Sequence, residues 1–394
     1  MRGRAVSTGE VAERAFLVAV EDKHDGGGWS AESSLQELGQ LARTAGAEVV
    51  GTLTQRLPHP SPTYLGKGKL EQMVALKGRA GYTLVVFDDE LSPVQQRTLE
   101  EALGVKVLDR TALILDIFAR RARTREGQLQ VELAQHEYLL PRLAGQWSHL
   151  ERLGGGIGTR GPGESQLETD RRLVRQKIAR LKEKLEQVRA QRSQYRKRRR
   201  ASGIPVASLV GYTNAGKSTL FNRLSRAGVV VEDKLFSTLD PVTRRLSPPD
   251  SPPFLLTDTV GFIQKLPHSI IAAFRATLEE LSEADVLVHV VDITHLRAAE
   301  QCQTVEDTLA TLGLAGKPRV TALNKVDLLV GADGQPETVE ELAGLASRLG
   351  VPQQDTVLIS AATGFGLEDL LRMIAALLPR PKAEEAASLR ERYP

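Results

Sequence analysis

The sequence predicts an α/β protein in which two parallel-sheet domains flank a long antiparallel helical hairpin. Short apolar strand patterns alternate with helical patterns at both ends of the chain, whereas the middle carries long helical patterns and no strand. We therefore expect an N-terminal parallel α/β domain (1–110), a helical hairpin (111–203) with a glycine-rich tip (about 153–164), a doubly wound domain (204–380) and a charged C-terminal tail (381–394).

The N-terminal domain is predicted from four strand patterns that alternate with helices, at Phe16–Val20, Glu48–Gln55, Thr83–Phe87 and Val105–Leu108. Asp88, Asp89 and Glu90 follow the third of these strands, at the edge where ligands often bind in parallel sheets. A solvated acidic turn is the favoured interpretation of these residues, and a ligand site is the alternative.

Composition excludes several classes of protein. The single cysteine, Cys302, excludes an internal disulfide and fits a reducing compartment. The N-terminus has no apolar run typical of a signal peptide, and no stretch approaches the roughly 20 apolar residues that a membrane span needs. We expect a cytoplasmic protein with no membrane span.

The net charge of +3 hides a strong asymmetry along the chain. Residues 171–200 hold 14 Lys and Arg but only 2 Asp and Glu, a local charge of +12 in a molecule whose remainder carries −9. A solvated charged face could explain part of this, but the five adjacent cations Arg196, Lys197, Arg198, Arg199 and Arg200 repel one another. Aromatic residues are nearly absent from this segment, so phosphate contact is favoured over base stacking on a single strand. We expect Arg171, Arg172 and this run to contact a structured RNA surface, and we expect no DNA partner.

The glycine-rich tip contains the pattern G-x-G-x-x-G at Gly156–Gly161. A dinucleotide site is excluded because that motif needs a preceding strand, and helices flank it here. The tip is either a flexible turn or a loop that inserts into a partner. For the second interpretation, Gly155, Gly156 and Arg160 are the expected RNA contacts.

A phosphate-binding loop is predicted at Gly211–Ser218, which fits G-x-x-x-x-G-K-[ST] between an apolar strand, Val206–Val210, and a helix start. Lys217 can reach the β- and γ-phosphates of a nucleotide, and the Ser218 hydroxyl can bind Mg²⁺. The expected nucleotide contacts in this stretch are Gly211, Tyr212, Thr213, Asn214, Ala215, Gly216, Lys217, Ser218 and Thr219.

Two further segments beyond the loop fit a nucleotide–magnesium site. Asp258–Gly261 has the form D-x-x-G, in which the aspartate holds Mg²⁺ through water and the Gly261 N–H senses the γ-phosphate. Thr238 is the candidate for the second hydroxyl on Mg²⁺, with Ser237 and Thr243 as rivals. We expect a metal site of Ser218, Thr238 and Asp258, catalytic roles for Lys217, Thr238 and Gly261, and additional nucleotide contacts from Phe236, Ser237, Thr259 and Val260.

The base is predicted from Asn324-Lys325-Val-Asp327, which has the form N-K-x-D at the end of a strand. The Asp327 carboxylate can accept from the N1–H and 2-amino groups of guanine, whereas adenine offers neither donor and would leave the acceptor unpaired. Lys325 can cover the base plane, Asn324 can brace the phosphate loop, and the backbone N–H groups of Ser360 and Ala361 can meet guanine O6. These elements predict a GTPase with GTP or GDP as its ligand.

Hydrolysis is expected to be slow in the isolated protein and stimulated by a partner. The residue after D-x-x-G is usually a glutamine that orients the attacking water, but here it is Phe262, which cannot form that hydrogen bond. Asn214 matches an asparagine that holds a monovalent cation near the phosphates in some GTPases. The alternative is that Asn214 only shapes the loop.

These motifs together resemble those of the HflX family of ribosome-associated GTPases. The resemblance covers about residues 10–380 and rests on Gly154–Asp170, the stretch most specific to that family, and on Gly211–Ser218, Phe236–Pro241 and Asp258–Phe262. It implies an N-terminal α/β domain, a helical hairpin and a translation-factor-class GTPase domain. Many relatives carry a further C-terminal domain, whereas this chain ends soon after Leu378 with a charged tail, so the contacts of that domain are not carried over.

The resemblance also implies that the GTP-bound form binds the large ribosomal subunit and its RNA, with the glycine-rich tip reaching toward the peptidyl-transferase region. Family members are credited with splitting stalled or stressed ribosomes into subunits. We expect the protein to be a monomer when free. Two rival functions are an RNA-binding or RNA-remodelling NTPase with an independently acting N-terminal domain that uses ATP, and a regulatory switch with a protein target. The lack of a phosphate loop in residues 1–110 argues against the first, and the +12 segment argues against the second.

Overall fold

The computed structural model describes residues 12–22, 29–57, 63–143, 162–201, 203–226, 235–249, 251–265, 267, 270, 280–329, 349–350 and 353–379. The chain divides into two compact units, one of residues 1–117 and 135–175 and the other of residues 118–134 and 176–394. Among the described residues, no helix combines the length and the apolar character that a membrane crossing needs.

The first unit contains a four-stranded sheet in the order β2-β1-β3-β4. All neighbouring strands in it are parallel, which confirms the α/β prediction. Its elements are β1 (Arg14–Asp22), α1 (Ala31–Thr44), β2 (Glu48–Leu57), α2 (Lys67–Ala80), β3 (Leu84–Phe87), α3 (Pro93–Leu103) and β4 (Lys106–Asp109). Every residue of β3 is buried, as expected for a central strand of a parallel sheet that is covered on both faces.

The acidic residues after β3 have structural roles, and the interpretation as a solvated turn is wrong for Asp88. Asp88 is fully buried and, together with Glu37, forms an ion pair with Arg110, which is only 1% exposed. Asp89 accepts a hydrogen bond from the Tyr64 hydroxyl. Burial opposes the charge of Arg110, but Asp88 and Glu37 raise its pKa further than burial lowers it. The paired charge therefore allows a carboxylate to sit in the interior.

Three helices connect the two sheets along the chain: α4 (Arg110–Arg121), α5 (Arg125–Leu139) and α6 (Pro162–Ala201). Within the second unit, Glu126 of α5 pairs with Arg192 of α6, and Glu132 pairs with Lys177. The later residue of α5 pairs with the earlier residue of α6, so the two helices are antiparallel, as predicted. Leu129, Leu181 and Leu185 form the buried seam between them.

The second unit contains a six-stranded sheet in the order β10-β9-β8-β5-β7-β6, parallel except for the edge pair β6–β7. Its elements are β5 (Val206–Val210), α7 (Lys217–Ser225), β6 (Val242–Leu246), β7 (Phe254–Asp258), β8 (Val286–Asp292), α8 (Ala298–Thr311), β9 (Arg319–Asn324), β10 (Thr356–Leu358) and α9 (Leu367–Leu377). The strand order reverses around β5. In doubly wound sheets, ligands bind in the crevice at the carboxyl end of such a strand.

His289 lies in the middle of β8 and is 1% exposed. Burial, together with the positive charges of Arg319 and Lys217, lowers the pKa of its imidazole to about 3, so the folded protein holds it neutral. A histidine in the unfolded chain has a pKa of about 6.5, so the unfolded state binds one more proton than the folded state between these two pKa values. The free energy of unfolding therefore falls as the pH drops below about 6.5.

We expect this single residue to lower the free energy of unfolding by about 2 kcal/mol between pH 7 and pH 5. A His289→Met variant should lose less thermal stability over that pH interval than the unaltered protein, as measured by the shift in melting temperature. Leu287→Met, at another buried position on β8, is the control: it changes no titratable group and should leave the pH dependence unchanged. An identical pH dependence for His289→Met would contradict the account.

Candidate nucleotide and metal site

The loop between β5 and α7 curls tightly because glycine stands at both of its ends. Gly211 has a φ of 149°, and a Cβ atom there would lie 2.3 Å from the carbonyl oxygen of Val290. Gly216 has a φ of 95°, and a Cβ atom there would lie 2.3 Å from the side-chain nitrogen of Asn324. A larger residue at either position would push the loop away from its neighbours, so its curl depends on both glycines.

Lys217 opens α7 and turns its ammonium group back over the loop. Its Nζ atom donates hydrogen bonds to the carbonyl oxygens of Gly211 (3.0 Å) and Tyr212 (2.7 Å). Burial lowers the pKa of this ammonium to about 8, against the opposing attraction of the Asp258 carboxylate. A buried cation at a helix N-terminus, next to converging backbone N–H groups, is an arrangement suited to a phosphate.

Three oxygen-bearing side chains meet beside Lys217. The hydroxyls of Ser218 and Thr238 lie 2.7 Å apart, and the Asp258 Oδ2 atom accepts from Ser218 at 2.8 Å and from Thr238 at 3.0 Å. Of the three hydroxyl residues that the sequence offered for this role, Thr238 is the one that contacts both Ser218 and Asp258. The Thr243 hydroxyl bonds instead to Thr257, and Ser237 lines the adjacent cleft.

This cluster fits a magnesium ion. Mg²⁺ prefers hard oxygen ligands and keeps several waters, and the donor set here is two hydroxyls and a carboxylate. The second oxygen of Asp258, Oδ1, is buried and has no hydrogen-bond partner among the described residues. Burial raises the pKa of Asp258, although hydrogen bonds from Ser218 and the charge of Lys217 act in the opposite direction. A cation or its water at Oδ1 would satisfy that oxygen.

The D-x-x-G segment is joined to the phosphate loop through its backbone. The Phe262 N–H donates to the Gly211 carbonyl (3.1 Å), and the Thr213 N–H donates to the Phe262 carbonyl (2.8 Å). Gly261 lies so close to the loop that a Cβ atom there would be 2.9 Å from both Lys217 Nζ and Thr213 Cα. The Phe262 side chain is 2% exposed, so it points into the protein core.

These groups surround an open cleft. Most of the predicted contacts line it, namely Thr213, Asn214, Gly216, Lys217, Ser218, Thr219, Phe236, Ser237, Thr238, Thr259 and Gly261. The predicted residues Tyr212, Ala215 and Val260 are buried behind this lining and hold it in place. Asp258 is also buried, and it contacts the lining residues Ser218 and Thr238 through its Oδ2 atom.

The predicted base-binding residues are held at the ends of β9 and β10. The Asn324 side chain donates to the Ala215 carbonyl (2.8 Å) and accepts from the Ala361 N–H (3.0 Å), which links the phosphate loop to the Ser360–Ala361 segment. The Ala361 N–H, which the sequence assigns to guanine O6, is thus engaged with Asn324 in this structure. Lys325 forms an ion pair with Asp292 at 2.6 Å.

Asp327 lies in a 3₁₀ turn, Val326–Leu328, and is partly exposed. No hydrogen bond or ion pair to its carboxylate is found within the part of the chain that the structure describes. Asp327 follows β9 at the carboxyl edge of the sheet, the edge at which the phosphate loop follows β5.

Comparison with known proteins identifies the family. The profile described as "GTP-binding GTPase N-terminal" matches residues 32–119, "GTP-binding GTPase Middle Region" matches 121–199, and "50S ribosome-binding GTPase" matches 206–325. The GTPase HflX of Lacrimispora saccharolytica is 50% identical over 376 residues, which cover 95% of this chain and 85% of the relative. The chain belongs to the HflX family.

Other HflX proteins show the same similarity. The GTPase HflX of Escherichia coli is 42% identical, and the match covers 96% of this chain and 86% of that protein. The GTPase HflX of Caldanaerobacter subterraneus is 52% identical, and the match covers 80% of this chain and 73% of that protein. A solved structure described as "crystal structure of SsGBP and GDP complex" aligns over 93% of this chain and 98% of its own, with 26% identity and a TM-score of 0.48.

The residues predicted to contact RNA are only partly described. Gly155, Gly156 and Arg160, in the glycine-rich tip, lie outside the described residues. Arg171 and Arg172 lie on α6, where Arg172 is exposed and Arg171 half-buried. The run Arg196–Arg200 is part of the same helix.

Asp240 lies within the Phe236–Pro241 stretch, but no functional role was predicted for it from the sequence. Its carboxylate accepts hydrogen bonds from the backbone N–H groups of Arg123 and Thr124, both at 2.8 Å. A threonine before a helical pattern is a recognisable N-cap signal at Thr124, but nothing in the sequence indicates that its partner lies more than a hundred residues away.

Proposed function

We propose that this protein binds GTP with Mg²⁺, hydrolyses it, and binds the large ribosomal subunit in its GTP-bound form. The observation that supports the nucleotide site is the contact of Ser218, Thr238 and Asp258 beside Lys217. These residues come from three separate segments, and they meet at the strand end where a doubly wound sheet places its ligand.

In the proposed complex, the loop N–H groups and the Lys217 ammonium hold the β- and γ-phosphates. Ser218 and Thr238 would hold Mg²⁺ directly and Asp258 through water, and the ion would neutralise charge on the phosphates. Gly261 lines the same cleft, and its N–H would sense the γ-phosphate. Because the Phe262 side chain is apolar and buried, it cannot orient the attacking water. We therefore propose slow turnover in the isolated protein.

Asn214 is the candidate for holding a monovalent cation near the phosphates. It lines the cleft and has a positive φ of 63°, a conformation that asparagine tolerates better than most residues. Both features fit the cation role as well as a role in shaping the loop. Potassium-dependent stimulation of hydrolysis that is lost in Asn214→Ala would favour the cation role.

Guanine selectivity is proposed to come from Asp327. Its two acceptor oxygens match the adjacent N1–H and 2-amino donors of guanine, and Lys325 and Asn324 position the segment that carries it. Adenine lacks both donors, so its binding would leave the carboxylate without a partner.

Ribosome binding is supported by two separate features. The profile that matches residues 206–325 is described as a 50S ribosome-binding GTPase. Residues 171–200 carry a local charge of +12, which suits an RNA surface. We propose that the glycine-rich tip and α6 contact the large subunit, that binding splits stalled or stressed ribosomes, and that hydrolysis releases the protein.

Splitting can be tested by light scattering from intact ribosomes. With Mg²⁺ and a non-hydrolysable GTP analogue, the protein should lower the scattering intensity, whereas with GDP it should not. Replacement of Arg196–Arg200 by alanine should weaken the effect and flatten its salt dependence, because phosphate contacts release counterions. Scattering that stays constant with the GTP analogue would refute splitting while leaving binding to be measured separately.

A further inference from the structure

The segment that carries Thr238 is attached through Asp240 to the two residues that precede α5, Arg123 and Thr124. The Arg123 and Thr124 N–H groups donate to Asp240 Oδ2 at 2.8 Å each, and the Thr124 hydroxyl donates to Oδ1 at 2.5 Å. Backbone N–H groups at a helix start have no partner within the helix. Thr124 is the N-cap of α5, because its hydroxyl accepts from the Gly127 N–H at 3.0 Å. Asp240 holds this cap in place and adds a negative charge near the positive end of the helix dipole.

Gly127 provides a second observation at the same contact. It lies in the first turn of α5, where glycine is a poor helix former. A Cβ atom at Gly127 would lie 2.3 Å from Asp240 Oδ1, far inside van der Waals contact. The absence of a side chain at this position is thus what allows the carboxylate to approach the helix.

An aromatic contact holds the same segment on the other side of Thr238. Phe236 packs edge-on against Phe118 of α4, with ring centroids 4.7 Å apart and both rings buried. Phe236 also has a φ of 57°, which is unfavourable for a bulky residue and persists only where the surroundings enforce it. Thr238 therefore lies between two anchors on the helical region.

Helix α5 is in turn joined to the basic helix α6. Glu126, two residues after Thr124, forms an ion pair with Arg192 at 2.9 Å, and the buried leucine seam extends the contact. Arg192 also approaches Glu280, which follows the D-x-x-G segment in the chain, at 3.7 Å. A continuous set of contacts therefore links the Thr238 segment to the helix that carries the +12 charge.

We propose that Asp240 is a positioning residue that couples the nucleotide state to the helical pair α5–α6. This proposal rests on the proposed function, since it requires Thr238 to bind Mg²⁺ with GTP and not with GDP. When Thr238 binds the metal, the segment is held with Asp240 on α5; when it does not, the cap is weakened. Coupling free energies are reciprocal. If GTP stabilises the contact between Asp240 and the start of α5 relative to GDP, then loss of that contact must lower the preference for GTP over GDP by the same factor.

The test compares Asp240→Ala, Gly127→Ala and Thr238→Ala with the unaltered full-length protein in the presence of Mg²⁺. The first measurement is the affinity for a fluorescent non-hydrolysable GTP analogue divided by the affinity for GDP. The second is hydrogen exchange of the peptide spanning residues 122–134, which reports the stability of the start of α5. We expect Asp240→Ala to weaken analogue binding about 10-fold with GDP binding almost unchanged. The analogue should slow exchange at the start of α5 relative to GDP in the unaltered protein only.

Gly127→Ala separates coupling from simple helix stability. Alanine has a higher helix propensity than glycine. If the Asp240 contact had no role, Gly127→Ala should therefore slow hydrogen exchange in α5 in both nucleotide states. With the contact, the added methyl displaces the carboxylate, and the variant should behave like Asp240→Ala. Asp307→Ala, at an exposed aspartate on α8, is the control and should match the unaltered protein.

The outcomes distinguish the coupling from the metal assignment. If Thr238→Ala leaves analogue affinity unchanged, the metal assignment fails and the coupling fails with it. If Thr238→Ala weakens analogue binding while Asp240→Ala and Gly127→Ala leave both the affinity ratio and α5 exchange unchanged, only the coupling is overturned. Equal losses of GTP-analogue and GDP affinity in Asp240→Ala would make the residue purely structural and would also overturn it.

Discussion

An Asp327→Asn variant is expected to bind GTP about 10- to 100-fold more weakly and to gain affinity for xanthosine triphosphate. The loss follows because an amide presents one acceptor and one donor to the two adjacent donors of guanine, at a cost of about 1–3 kcal/mol. The gain follows because xanthine carries a carbonyl oxygen in place of the 2-amino group, and the asparagine amide can donate to it.

Competition binding with a fluorescent guanine nucleotide measures both effects in one titration series. The gain for the xanthine nucleotide cannot come from partial unfolding, so it separates recognition from stability. Asp307→Asn, exposed on α8, is the control and should leave both affinities unchanged. Undiminished guanine preference in Asp327→Asn would disprove the assignment of this carboxylate to the base.

An Arg110→Met variant is expected to destabilise the N-terminal unit by about 3–5 kcal/mol. Arg110 forms ion pairs with Glu37 at 2.7 Å and with Asp88 at 2.5 Å, and all three side chains are buried. Methionine fills a similar volume but leaves two carboxylates without a countercharge, and removal of one partner from a buried network carries a cost of this size.

Native-state hydrogen exchange at β1 and β3 measures this loss as a rise in exchange rate of about 10²- to 10³-fold or more. Arg97→Met is the matched control, because Arg97 pairs with Glu101 on the exposed face of α3 and should contribute less than about 1 kcal/mol. Adding Asp88→Asn and Glu37→Gln to Arg110→Met should recover part of the loss. Unchanged exchange at β3 in Arg110→Met would show that the network does not stabilise the unit.

Local patterns in the sequence are sufficient for the parts of the site that lie within one strand, loop and helix start. Gly211–Ser218 folds as predicted because its conformation depends on glycines and on the adjacent strand and helix. The α/β class was likewise predictable, since strands such as β3 and β8 are short buried apolar runs. Such features depend on neighbours within a few residues.

Contacts between distant segments were not predictable in the same way. The sequence left Thr238, Ser237 and Thr243 as rivals, and only the three-dimensional arrangement places Thr238 against Ser218 and Asp258. Asp88 looked like a solvated acid because nothing in its vicinity in the sequence indicates Arg110 as its partner. Asp240 and Thr124 are 116 positions apart, and their hydrogen bonds depend on the packing of the whole second unit.

Sedimentation through a sucrose gradient with isolated large ribosomal subunits tests the central claim of GTP-dependent ribosome binding most directly. In the presence of Mg²⁺ and a non-hydrolysable GTP analogue, the full-length protein should migrate with the large subunit. With GDP it should remain at the top of the gradient. Absence from the large-subunit fractions with the GTP analogue, or equal binding in both nucleotide states, would contradict the account.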